Sequence, residues 1–313
     1  MPVVRLLIAL VLLLTVTGAQ GATLEGVWVA DVEGEKVDLS LSFRSRGFNQ
    51  HQSSFLLSDF VGLDRSLFQS TRPTPASFAI NRDAGTIRME GNFTGTRGSG
   101  HFTFLPSEAF GSRMNSLGYE DLTDRDHFLF AVVDFGAETL EGLRSVGIVP
   151  KDRKELMSVA IHRVTPEYVR EMKQLGVSAS NVKDWIAMRI HGVTPAYVRE
   201  MRSFGWDLDG DDLVGMRIHG VTAAWLREMK ALGLDLDADE AKRMRIHGVT
   251  PEYIEEMRSL GVTFSDDQAV EMRIHGVTPD FVRKLRSRGY ETRDALKLTR
   301  AKIHGLDRML LDD

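Results

Sequence analysis

Residues 188–201 read MRIHGVTPAYVREM, and the phrase returns as MRIHGVTAAWLREM at 216–229, MRIHGVTPEYIEEM at 244–257 and MRIHGVTPDFVRKL at 272–285. A looser copy, VAIHRVTPEYVREM, occupies 159–172. The histidines of the series, His162, His191, His219, His247, His275 and His304, are spaced 29, 28, 28, 28 and 29 residues apart, and Asp134 holds the same place one unit earlier. A period of roughly 20–50 residues marks stacked structural units, each too small to bury its apolar face alone.

Each unit carries start and stop signals for two short helices. Ten residues before each histidine from His162 to His275 stands Asp152, Asn181, Asp209, Asp237 or Ser265, and three residues further on stands Glu155, Asp184, Asp212, Glu240 or Gln268. That is capping-box spacing and predicts the start of a first helix. Its predicted stop is Gly192, Gly220, Gly248 or Gly276, a residue that adopts the left-handed conformation without penalty. A second helix is predicted to open at Thr165, Thr194, Thr222, Thr250 and Thr278, with proline at its first position in every copy but the one with Ala223. Valine before each threonine and an aliphatic residue five positions later, as in Val193 and Val198, give a hydrophobic staple. Gly176, Gly205, Gly233, Gly261 and Gly289 end the second helices.

The predicted buried stripe of the second helix is Tyr168/Met172/Leu175, repeated as Tyr197/Met201/Phe204, Trp225/Met229/Leu232 and Tyr253/Met257/Leu260. The last trio, Phe281/Leu285/Arg288, ends on a charge, and residues 292–313 are expected to cap the array. Residues 151–291 therefore read as an αα-hairpin solenoid. Within 106–150, stretches 110–119 and 123–147 are degenerate copies, with Gly118 and Gly147 keeping the beat. They are expected to join the solenoid to what precedes it.

Residues 23–105 differ in character, with period-two alternation and turn residues at strand-like intervals. Strands are predicted at 24–31, 36–43, 52–57, 77–81, 86–93 and 100–105. The expected fold is α+β: a small antiparallel β meander or barrel followed by the αα-hairpin solenoid of 28–29-residue repeats. Residues 1–22 carry Arg5, an apolar run over 6–16 and then small residues, the pattern of an export signal too short to span a bilayer. No later segment is apolar enough to insert, so the mature chain is expected to stay out of the membrane. The formal charge of −5 becomes −6 once Arg5 is removed, which speaks against a nucleic-acid partner. With no cysteine, disulfides and thiolate metal sites are excluded.

The histidine column invites a metal reading, but packed helices stand about 8–10 Å apart, and one zinc needs bonds of about 2 Å. A structural role at the helix end fits better, since basic side chains there meet unpaired carbonyls. The arginine column (Arg189, Arg217, Arg245, Arg273) and the glutamate column (Glu171, Glu200, Glu228, Glu256) are expected to form ladders between units. His51 and His101 are read as polar groups on the strand surface. Residues 207–212, DLDGDD, depart from a calcium loop in the position of glycine. Residues 180–183, SNVK, match S-x-x-K without a companion motif. Gly26-Val27-Trp28 resembles the Gly-x-Trp of lipocalin barrels over three residues only. No catalytic motif is present, and no cofactor is expected.

The phrases at 188–201 and 244–257 resemble a repeat of exported bacterial proteins that is also appended to membrane metallopeptidases of the antibiotic-sensing type. The resemblance covers roughly residues 106–305. It implies a periplasmic or extracellular setting and carries no reaction across, since H-E-x-x-H is absent here. The expectation is an exported, non-enzymatic scaffold that binds a protein or peptide. The alternative is a small-ligand or metal carrier using the β domain or the histidines.

Overall fold

The computed structural model describes residues 24–45 and 47–305, so the expected export signal lies outside the described residues. The chain divides into two compact units, Met1–Ala137 and Glu138–Asp313.

In the first unit alternating apolar residues build an antiparallel sheet curled into a half-barrel. Its strands are β1 (Leu24–Glu33), β2 (Lys36–Ser45), β3 (Gly47–Leu56), β4 (Phe60–Val61), β5 (Thr74–Arg82), β6 (Gly85–Thr94) and β7 (Arg97–Pro106). The order β3-β2-β1-β7-β6-β5-β4 is more than a meander. It is an up-and-down succession whose first and last strands pair, with Trp28 opposite Gly100, and whose break falls between β3 and β4. The two-residue β4 has no counterpart among the predicted strands, being too short to show a period.

Aromatic rings fill the buried face of the sheet. Trp28 is 0% exposed, its indole nitrogen donates to the Glu90 carbonyl at 3.1 Å, and Phe78 meets its ring edge-on at 5.1 Å. Two helices follow, α1 (Glu108–Ser116) and α2 (Asp124–Val133). Phe128 of α2 lies within 5.4–5.6 Å of the Phe43, Phe102 and Phe104 rings. The stretch expected to join sheet and repeats thus supplies α2 as a lid on the sheet. Trp28 is a core residue here, packed against the Phe78 and Phe93 rings.

From 138 to 305 the described chain is built of helical hairpins. After α3 (Ala137–Ser145), first helices are α4 (Arg153–Ile161), α6 (Val182–Ile190), α8 (Gly210–Ile218), α10 (Ala238–Ile246), α12 (Asp266–Ile274) and α14 (Ala295–Ile303). Second helices are α5 (Pro166–Gln174), α7 (Pro195–Arg202), α9 (Ala223–Ala231), α11 (Pro251–Ser259) and α13 (Pro279–Ser287). First helices pack on first helices, as α8 does on α6 and α10, and second on second, as α11 does on α9 and α13. α14 extends this order by packing on α12.

Methionine dominates the space between the two layers. Met188, Met216, Met244 and Met272 from the first helices and Met172, Met201, Met229 and Met257 from the second are at most 1% exposed. The unbranched thioether fits the slightly different gap each unit leaves. The third member of the predicted second-helix stripe is only half-buried at Leu175, Phe204, Leu232 and Leu260, because the helix has already ended there. The residue after the glycine closes the layer instead in three units: Val177, Leu234 and Val262 are 2–3% exposed.

Helices of eight or nine residues are marginal alone in water, so stacking must hold them. Deleting residues 209–236 joins Leu208 to Asp237, one unit boundary to the next, and keeps the register. The shortened protein is expected to retain its helical circular-dichroism signal per residue and a cooperative thermal transition. Collapse of that signal would contradict the stacked-unit fold.

Candidate functional site

Each RIHGVTP phrase folds into the joint between two helices. The histidine is the C-terminal cap of the first helix, as His191 is at φ −87°, and the next glycine turns left-handed, at φ +69° for Gly192 and +73° for Gly276. Gly220 and Gly248 do the same, and the valine amide then reaches back to the methionine carbonyl, Val193 to Met188 at 2.8 Å. His162 is followed by Arg163, which adopts φ +53° where the other units have glycine. Thr165, Thr194, Thr222, Thr250 and Thr278 cap the second helices, each hydroxyl accepting from the amide three residues on at 3.1–3.2 Å. At the first helices the full reciprocal box closes at Asn181, Asp237 and Ser265. Glu155 instead bonds the Lys151 amide, and Asp212 takes Lys242 at 2.9 Å.

The joints bond to one another. The guanidinium of Arg189 lies over the Tyr168 ring at 4.9 Å while its Nε donates to the His162 carbonyl at 3.0 Å. One unit on, Arg217 covers Tyr197 at 4.9 Å and bonds the His191 carbonyl at 3.2 Å; Arg245 then covers Trp225 at 5.5 Å and bonds His219 at 3.3 Å. Arg273 stacks on Tyr253 at 5.0 Å. In the opposite direction Tyr168, Tyr197 and Tyr253 donate their hydroxyls to the Val193, Val221 and Val277 carbonyls at 2.8–3.0 Å. At Tyr168 and Tyr197 a stacked, charge-assisted bond one way and a buried neutral bond the other hold the layer to the next; Trp225 keeps only the first and Tyr253 the ring contact with the second.

This corrects two expectations. The arginines of the RIHG phrase do not pair with the glutamate column. Glu171 pairs with Arg199 and Glu256 with Arg283, arginines of the following second helix. Nor does the imidazole serve the helix end: the next unit's arginine binds the histidine carbonyl, and the histidine side chains stay half-buried or exposed. His304 caps α14 in the same way.

The joints also set a surface. Two residues along a helix turn about 200°, so burying Met188 puts Ile190 on the outside. Ile161, Ile190, Ile218, Ile246, Ile274 and Ile303 are each 48–55% exposed, one per first helix. They form an apolar column beside the arginines and histidines. The sequence reading missed it by taking the phrase only as the stop of one helix and the start of the next, although the offset from the buried methionine was sufficient to find it.

The remaining candidates separate. His51 faces the buried side of β3, stacked on Phe43 at 6.1 Å with its Nε2 unpartnered, so it is not a surface polar group. Burial, helped by the Arg125 charge, pushes its pKa down. His101 is exposed on β7 opposite Val27, so the two do not face one another. His127 of α2, unnoticed in the sequence, is buried edge-on to Phe110 at 5.2 Å, and burial likewise lowers its pKa against the pull of Asp124 and Asp126. Asp209 caps α8, and the Ser180 and Lys183 amides bond Asp184 and Asn181 within a helix cap. Among the described residues no three histidine or acidic groups gather as a metal cluster. No protein-family model matches the sequence, and no curated protein is significantly similar to it.

Two measurements check the joint. Replacing Tyr197 with phenylalanine leaves the buried Val221 carbonyl without its donor and is expected to cost about 1–3 kcal/mol in urea unfolding; no measurable loss would contradict the bond. Burial pushes the Tyr168, Tyr197 and Tyr253 hydroxyls up to about 12, against the opposing pull of the stacked arginine. Unfolded tyrosine ionises near about 10, so their contribution to stability is complete below that pH and is lost as pH rises towards about 12. Ultraviolet titration is expected to show Tyr168, Tyr197 and Tyr253 ionising only there.

Proposed function

We propose that the protein is an exported, non-enzymatic scaffold whose helical stack binds another protein or a peptide. The observation that carries this reading is the repeated outer surface. Six layers present an exposed isoleucine beside a histidine, with an arginine as well in the four from Ile190 to Ile274, and a repeating apolar surface of this kind suits an extended partner better than a small molecule. Export rests on the pattern of residues 1–22. No helix among the described residues is long and apolar enough to cross a membrane.

The carrier reading keeps one observation in its favour, an open cavity of about 490 Å³ lined by Gly26, Phe43, His101 and Phe102. Crosslinking in the native envelope, with native mass spectrometry of the purified protein, separates the two. The scaffold reading expects a protein attached through residues beyond 138 and a mass equal to the bare chain. A stoichiometric lipid or metal with no captured protein would favour the carrier.

A further inference from the structure

The arginines of the joint stand apart from the other repeated charges. Arg199 and Arg283 have carboxylate partners in the neighbouring unit, and Arg243 and Lys242 have theirs. Arg189, Arg217, Arg245 and Arg273 have none among the described residues; they hold ring faces, and the first three also hold carbonyls. A ring and a carbonyl orient a guanidinium without neutralising it.

The excess is greatest at the centre of the stack. The second residue of the second helix is acidic in α5, α11 and α13, as Glu167, Glu252 and Asp280. In α7 and α9 it is Ala196 and Ala224. Across these layers the edge presents Ile190, Ile218 and Ile246, the unneutralised Arg189, Arg217 and Arg245, and His191 and His219 exposed beside them. The edge is thus an apolar column flanked by positive charge on a chain that is acidic overall.

We propose that this edge docks an extended, acidic segment of a partner protein, running along the stack with an aliphatic side chain at about every third residue. This rests on the scaffold reading and names its partner. Helix layers repeat at about 8–10 Å, and an extended chain in the polyproline II conformation rises about 3.1 Å per residue with three residues per turn, so three residues span one layer and return to the same face. Side chains at that interval meet successive isoleucines, and carboxylates between them meet the arginines.

The probe is a fluorescein-labelled peptide of four Leu-Glu-Ser repeats, read by anisotropy against the mature full-length protein at low salt. Saturable binding is expected, weakened at least tenfold when lysine replaces glutamate in the peptide and weakened further by added salt. The triple variant Ile190→Ser, Ile218→Ser, Ile246→Ser changes exposed positions and is expected to keep the wild-type circular dichroism while losing at least tenfold in affinity. Absence of binding, equal binding by the triple variant, or equal binding of the lysine peptide overturns the proposal. So does isoleucine-dependent binding to phosphatidylglycerol vesicles without peptide binding. Photocrosslinkers at His219 on this edge and at Arg227 on the exposed face of α9 tell the two readings apart. A protein captured only from Arg227 refutes the edge and leaves the scaffold standing, and capture from neither refutes the scaffold.

Discussion

An arginine held between an aromatic ring and a carbonyl of the preceding unit is the interaction on which the helical half of this protein depends. Helices this short bring little stability of their own, and the exposed ion pairs between units contribute only about 0–1 kcal/mol each. The Arg189–Tyr168–His162 arrangement works where those do not, because it is partly desolvated and uses the helix-end carbonyl that would otherwise lack a donor. The tyrosine hydroxyl answers with a bond to the next valine carbonyl, so one aromatic residue fixes both partners across the layer.

The variations follow the same chemistry. Trp225 replaces tyrosine in the third hairpin; it keeps the stacked Arg245, but its indole nitrogen is buried without a partner. At Phe281 no hydroxyl is available, and Lys302 stands over the ring in place of arginine, at 4.9 Å. The cation–ring contact is kept there, while the hydroxyl bond to the next layer is absent.

Much of the helical architecture was legible because its causes lie within a few residues of one another. Caps, staples and stop glycines at fixed offsets state where each helix begins and ends. What escaped depends on distant parts of the chain or on the third dimension. The pairing of β1 with β7 joins residues such as Trp28 and Gly100 that no local pattern connects. The carbonyl partners of Arg189, Arg217 and Arg245 lie 26 or 27 residues away, on backbone that composition does not reveal. His51 looked like a surface residue because its strand is polar, yet the pleat turns it inward onto Phe43. The exposed isoleucines were hidden by the habit of burying every aliphatic residue, although their two-residue offset from a buried methionine places them outside.

The joint thus links stability to surface: the geometry that locks Arg217 onto Tyr197 is the geometry that leaves Ile218 and His219 facing outward. A double-mutant cycle on Tyr197→Leu and Arg217→Met, followed by urea unfolding, measures the interaction across the layer directly. A coupling energy of at least about 0.5 kcal/mol, the low end for a stacked cation and ring, is predicted. Strict additivity of the two substitutions would contradict the claim that this contact holds successive units together.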